Sequence, residues 1–120
     1  MTHSFAPGDD LIFQLESGLG LLRVIAIEGE GAETVWHLMA YDEFFPDAES
    51  AERALAQQPF ALAIRNAHMA LTDRAFERTP AARLGNRAVT DDELDAYHRW
   101  RDSDTPKVSD RSALLLLGIR

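Results

Sequence analysis

The stretch GDDLIFQLESGLGLLRVIAI, Gly8 to Ile27, decides the fold class. Leu11 to Glu16 is apolar with partial alternation, and Leu21 to Glu28 contains several β-branched residues, which is typical of strands. The segment Ser17-Gly18-Leu19-Gly20 lies between them and indicates a tight hairpin turn, where glycine can adopt a positive φ. The stretch therefore predicts two antiparallel strands.

A phosphate-binding loop is the alternative interpretation of Gly18 and Gly20. The dinucleotide fingerprint requires a third glycine three residues after the second, followed by a helix whose N-terminus faces the phosphates. Arg23 occupies that position, and strand-forming residues follow it. The pattern therefore does not indicate a nucleotide enzyme.

More strand-like segments follow this hairpin. Glu28 to Gly31 is a second glycine-containing turn, and Glu33 to Tyr41 is the third strand of a meander. Phe60 to Leu71 fits a strand or a helix, and we favour a strand because three strands need more sheet to close a core. Asp73 to Arg78 can continue that strand, and Ser112 to Ile119 is predicted as the last one.

Two helices carry recognisable starts. Asp47 can cap a helix from Ala48 to Gln57, which Pro59 ends. Thr90-Asp91-Asp92-Glu93 is a capping box, in which the Thr90 hydroxyl and the Glu93 carboxylate each bind a free backbone amide. A helix from Asp91 to Asp102 follows, with Thr79-Pro80 and Gly85-Asn86 marking a loop before it.

These elements predict an α+β fold, with a bent antiparallel sheet or small SH3-like barrel and two helices. The 120 residues fit one domain, residues 1–120, and 46% of them are hydrophobic, enough for a core. The sequence has no cysteine, no apolar run near the ~20 residues of a membrane span and no secretory pattern at the start. We therefore expect a cytoplasmic protein without a membrane partner.

Charge is distributed unevenly along the chain. The formal net charge is −8; residues 1–58 contain eleven acidic and two basic side chains, and residues 59–120 contain nine and ten. The halves thus carry −9 and +1. Nucleic-acid binding needs a basic surface, so no nucleic-acid partner is expected. An acidic surface favours a basic protein partner or simply keeps the protein in solution.

One segment combines aromatic and acidic residues. Aromatic side chains rimmed by acids suit protein interfaces, although core packing and helix capping explain the same residues. The predicted binding residues are Trp36, Tyr41, Asp42, Glu43, Phe44 and Phe45. A binding module of this kind needs no catalytic residue, cofactor or metal.

An alternative function uses the histidines. His37 and His68 lie in predicted strands and could meet across the sheet together with a carboxylate. Together with Asp42 they would bind the metal ion of a small metal-dependent hydrolase, since zinc sites use histidine and carboxylate ligands. The sequence contains neither H-x-H nor H-E-x-x-H, so this hypothesis depends entirely on the fold.

The chain resembles small bacterial toxin-immunity proteins that begin on an SH3-like barrel. The resemblance covers about a third of the chain: Gly8-Asp9, the strand after it, Gly18, Gly20 and Arg23-Val24, then Ala88-Val89-Thr90, Glu93-Leu94 and Trp100. The turn is one residue shorter here and lacks an aromatic residue before the second glycine. The resemblance implies a non-catalytic protein that binds and blocks a toxin. Self-association to a homo-oligomer through a sheet edge is compatible with either function.

Overall fold

The computed structural model describes residues 5–16, 18–57 and 62–118, and in them a five-stranded antiparallel sheet packs against helices. The predicted α+β class is confirmed. The strands are β1 (Asp9–Leu15), β2 (Gly18–Glu28), β3 (Val35–Tyr41), β4 (Ile64–Thr72) and β5 (Ala81–Asn86). The helices are α1 (Ala48–Ala56), α2 (Asp73–Glu77), α3 (Asp91–Arg101) and α4 (Ala113–Leu117), and a 3₁₀ turn spans Gly31–Glu33.

Strand β2 lies at the centre of the sheet, whose order is β4-β3-β2-β1-β5. Its side chains point alternately to the two faces, and both faces are covered. Leu22 and Val24 contribute to one apolar core, whereas Leu21 and Ile25 contribute to the other. A strand that is buried on both faces has a nearly continuous apolar sequence, which is the pattern observed from Leu21 onward.

Helices cover both faces and make the molecule three layers thick. Helices α2 and α4 pack on one face through Phe76 and Leu117. Helices α1 and α3 pack on the other through Leu55 and Tyr97. Among the described residues, none of the helices has the length and apolar character that a membrane crossing requires.

The first hairpin differs from its prediction in one detail. Leu15 pairs with Gly18, so Leu19 and Gly20 belong to β2 and not to the turn. Gly18 does have a positive φ of 142°, as a turn-adjacent glycine can. Gly20 pairs with Phe13 and lies under its ring, where an added Cβ would come 2.5 Å from Cζ of Phe13. Gly20 is therefore needed for a close approach. Ser17 lies outside the described residues.

Two segments predicted as strands are short helices. The hydroxyls of Thr72 and Ser112 accept hydrogen bonds from the amides of Ala75 and Leu115 and so cap α2 and α4. Each helix buries one face in the same core, and Gly118 ends α4 in the left-handed conformation. These caps override the strand pattern that we read from residues 73–78 and 112–119, of which Ile119 lies outside the described residues.

Strand β5 lies where a loop was predicted. It pairs with the free edge of β1, with Asp9 opposite Asn86 and Phe13 opposite Ala81. Its sequence, AARLGN, is short and contains a glycine, so it carries no periodic apolar signal. Pairing with β1 therefore determines this strand more than its own side chains do.

Three other predictions are confirmed, with small shifts in their bounds. Helix α1 begins after Asp47, whose carboxylate accepts from the Ser50 amide. Helix α3 begins with the complete Thr90–Glu93 capping box. Strand β4 agrees with the favoured strand interpretation within residues 62–71, while residues 58–61 are outside the described part.

A buried arginine connects β2 to α3. Arg23 has 0% exposure, and its guanidinium donates hydrogen bonds to two carboxylates and three main-chain carbonyls. The partners are Glu93 (2.6 and 3.1 Å), Asp10 (3.3 Å) and the oxygens of Gly8 (2.8 Å), Arg87 (2.9 Å) and Ala88 (3.1 Å). Burial alone would raise the pKa of Glu93, but the bonds from Arg23 and Thr90 outweigh it and lower that pKa. The capping glutamate is thus also an ion-pair partner of Arg23.

We expect Gly20→Ala to destabilise the protein by about 1–3 kcal/mol, because the new Cβ would force the packed Phe13 ring to move. Chemical denaturation measures this loss of unfolding free energy. Gly85→Ala is the matched control, since no atom lies within 4 Å of its added Cβ. Equal unfolding free energies for the two variants would contradict the proposed contact.

Candidate functional site

A hydrogen-bonded chain of three side chains crosses the sheet on the face covered by α3. His37 of β3 pairs with Ala26 of β2 and with Ala70 of β4. Glu28 and His68 lie two residues from those partners, so all three side chains share one face. His37 Nε2 lies 2.6 Å from Glu28 Oε1, and His37 Nδ1 lies 2.9 Å from His68 Nε2.

Aromatic rings of α3 pack against the central member of this chain, His37. The rings of Tyr97 and Trp100 lie 4.5 and 4.6 Å from that of His37, and the His68 ring stacks on it at 5.1 Å. His37 has no exposed surface, whereas His68 is partly exposed. The indole Nε1 of Trp100 donates to the carbonyl of Lys107 at 2.7 Å, which fixes the ring beside the histidines.

The hydrogen-bond partners and the burial of the two histidines together indicate which nitrogens carry protons. A carboxylate only accepts hydrogen bonds, so Nε2 of His37 donates to Glu28. Burial lowers the pKa of His37 and outweighs the opposing effect of Glu28, so this imidazole is neutral and its Nδ1 accepts. His68 therefore donates from Nε2, and its Nδ1 keeps a lone pair. Burial, followed by the adjacent His37, lowers the pKa of His68 to about 4.

His68 also lines an open cleft of about 440 Å³. Strand β4 and Trp100 form two of its walls. The chain segment at Ser109 forms a third wall, because Ser109 pairs with the free edge of β4 through bonds to Ala70 (2.8 Å) and Thr72 (3.0 Å). A volume of this size lies within the range of small-molecule sites.

The contact between His37 and His68 that the alternative hypothesis required is observed, but with a different carboxylate. Glu28 occupies the place proposed for Asp42, and Asp42 pairs with Arg65 at 3.0 Å. Both nitrogens of His37 are engaged in hydrogen bonds. Within residues 5–16, 18–57 and 62–118, no three histidine or acidic side chains are grouped as metal ligands.

The structure separates the predicted binding residues. Trp36 is 3% exposed and lies in the core beneath α2, where its Nε1 donates to Asp73 at 2.9 Å and its ring contacts Phe76. Tyr41 and Phe45 are buried in the core on the opposite face. Core packing thus explains these three aromatic residues.

The exposed members of the predicted set are consecutive. Asp42, Glu43 and Phe44 lie at the surface after β3, and Phe44 is 38% exposed. Of the six predicted residues, the structure therefore brings two acids and one aromatic ring together on one surface segment.

Sequence reasoning missed the roles of Glu28 and Arg23. Glu28 was assigned to a strand end and a turn, and only the register of β2 against β3 places it beside His37. Arg23 did carry a signal, because a single charged residue inside the apolar run from Leu21 to Ile27 is unusual for a strand buried on both faces.

We expect unfolding free energy to fall as the pH decreases from 6.5 towards 4. The folded-state pKa of His68 is about 4 against an ordinary 6.5, so the unfolded chain binds more protons in this interval and is favoured. His68→Gln keeps an amide donor for His37 but does not titrate. Denaturation between about pH 7 and 5, where most carboxyl groups remain ionised, should show a smaller slope for this variant.

His98→Gln is the control for that experiment, because His98 lies on the same helix as Tyr97 and Trp100 but outside the hydrogen-bonded chain. It should keep the slope of the unmodified protein. A His68→Gln slope equal to that of the unmodified protein would show that the histidine pair does not contribute to the pH dependence.

Comparisons of this chain with protein-family models, with curated protein sequences and with solved structures gave no significant match.

Proposed function

We propose that this protein is a non-catalytic protein-binding module of the toxin-immunity type, and that it binds a basic partner through residues 42–47. We call these residues the acidic segment. The observation that carries the proposal is the exposed ring of Phe44, which follows two exposed acids, Asp42 and Glu43. An aromatic anchor within a charged rim is the composition of many interface hot spots.

The acidic segment is held in place at Asp42 and at Phe45, which supports a binding role. Phe45 exchanges two backbone hydrogen bonds with Leu19, of 2.7 and 2.8 Å, and its side chain is buried. The Asp42 amide donates to the carbonyl of Ala63 at 2.9 Å, and its carboxylate pairs with Arg65. Binding would therefore cost little conformational entropy, because the loop is already ordered.

Charge supports the choice of a basic partner. Beyond the acidic segment, Glu49 and Glu52 of α1 are exposed too, and residues 1–58 together carry −9. Such a surface accelerates association with a cationic protein and repels nucleic acid. We also propose that the protein is cytoplasmic and that the β1–β2–β3 meander has an SH3-like arrangement.

The test is an affinity capture from lysate of the source cells, with variants that separate aromatic and charge effects. We expect the unmodified protein to retain one stoichiometric basic protein. Phe44→Ala should weaken that complex about tenfold or more, because an interface anchor is lost. The double variant Asp42→Asn, Glu43→Gln should weaken it too, and more strongly at low salt.

The matched control is Glu30→Gln, Glu33→Gln, which removes the same charge from exposed positions at the 3₁₀ turn. This control should keep the partner. Equal retention by all variants, or no partner beyond that of a tag alone, would contradict the proposal. A complex made only of further copies of this chain would instead indicate self-association through a sheet edge such as β5.

A further inference from the structure

The cleft beside His68 has walls that differ in chemistry from the acidic segment. Its apolar lining includes the Trp100 ring and the side chains of Val108 and Leu116. Val108 and Leu116 are 39% and 37% exposed, so the cleft leaves apolar surface in contact with solvent. A flat apolar ligand would cover this surface and stack on the indole, whose orientation the bond to Lys107 already fixes.

The polar groups of the cleft define what such a ligand must carry. Burial keeps the imidazole of His68 neutral and its Nε2 donates to His37, so its Nδ1 is an acceptor; no described residue donates to it. A ligand hydroxyl or N–H group would satisfy it. The other polar residues offer donors: the amide of Asn66, the hydroxyl of Ser109, which already accepts from the Arg111 amide, and the ammonium group of Lys107.

Lys107 is the only lysine in the sequence, and it has no ion-pair partner among the described residues. Within the described residues, no carboxylate therefore lies within ion-pair distance of its ammonium group. This ammonium group would attract the anionic end of a ligand whose apolar body lies in the cleft.

We propose that this cleft binds a small aromatic carboxylate that also carries a hydroxyl or N–H group. The ring stacks on Trp100, the hydroxyl donates to Nδ1 of His68, and the carboxylate faces Lys107. The arrangement needs no bond-making step, and it is independent of the proposed protein partner because it uses no residue of the acidic segment.

The test compares two ligands that differ by one donor, para-hydroxyphenylacetate and phenylacetate. Nuclear magnetic resonance titration follows the indole N–H signal of Trp100 up to about 10 mM ligand, a range suited to a weak site. The hydroxylated ligand should saturate the signal and bind about threefold to tenfold more tightly than phenylacetate, which lacks the hydrogen bond to His68. This comparison uses the unmodified protein, so it does not depend on how any variant folds.

Two variants locate the site. Lys107→Gln should weaken both ligands by about twofold to fivefold, because an exposed ion pair is lost, whereas Arg53→Gln on α1 should change neither. His68→Leu, which offers no acceptor to the ligand hydroxyl, should abolish the preference for the hydroxylated ligand. Absence of saturation, equal affinity for the two ligands, or an equal effect of Arg53→Gln and Lys107→Gln would each overturn the proposal.

Discussion

The buried guanidinium of Arg23 is the interaction on which the rest of the structure depends. It lies in the central strand and donates to groups from three parts of the chain: the start of β1, the connection after β5, and α3 through Glu93. A buried cation is tolerated only when its donors are satisfied, so these segments must meet around it. The position of α3 follows, and with it the place of Tyr97 and Trp100 over His37. The cleft therefore depends on an ion pair that does not itself line it.

Local chemistry explains why some elements could be predicted from the sequence and others could not. The capping box at Thr90 and the cap at Asp47 involve residues three apart, so their signals are complete within one turn of helix. Strand β5 lacks such a signal, because its place depends on the unpaired edge of β1. Helix α4 was predicted wrongly for the opposite reason. Its sequence, ALLLL, is apolar enough for a strand, and the cap from Ser112 makes the segment a helix. Seventy residues separate Arg23 from Glu93, and a charge pair at that distance leaves no pattern that one sequence reveals.

The candidate sites also contain some features that the sequence predicts and others that it does not. Alternation along β3 already separates Trp36 from Tyr41, because residues an odd number of positions apart point to opposite faces of a strand. An aromatic cluster that is compact in sequence is therefore divided between two cores, and only Phe44, beyond the strand end, remains at the surface. For the histidines, placing both in strands indicated that they could meet across the sheet, and the structure does bring them together. Their carboxylate partner, Glu28, depended on the irregular register between Val24 and Ala26, which no residue pattern indicates.

The most direct test of this account is a double-mutant cycle of unfolding free energy with Arg23→Met, Glu93→Gln and the double variant. Arg23→Met removes the donor that two carboxylates and three carbonyls share, although Asp10 still accepts from Arg87 and Glu93 still accepts from Thr90. We expect it to cost about 3–5 kcal/mol, because the buried ion pair loses its cation. The double variant should cost at least about 1 kcal/mol less than the sum of the single variants, because the two groups act as one unit. Additive effects, or an Arg23→Met protein as stable as the unmodified one, would contradict the central role of this arginine.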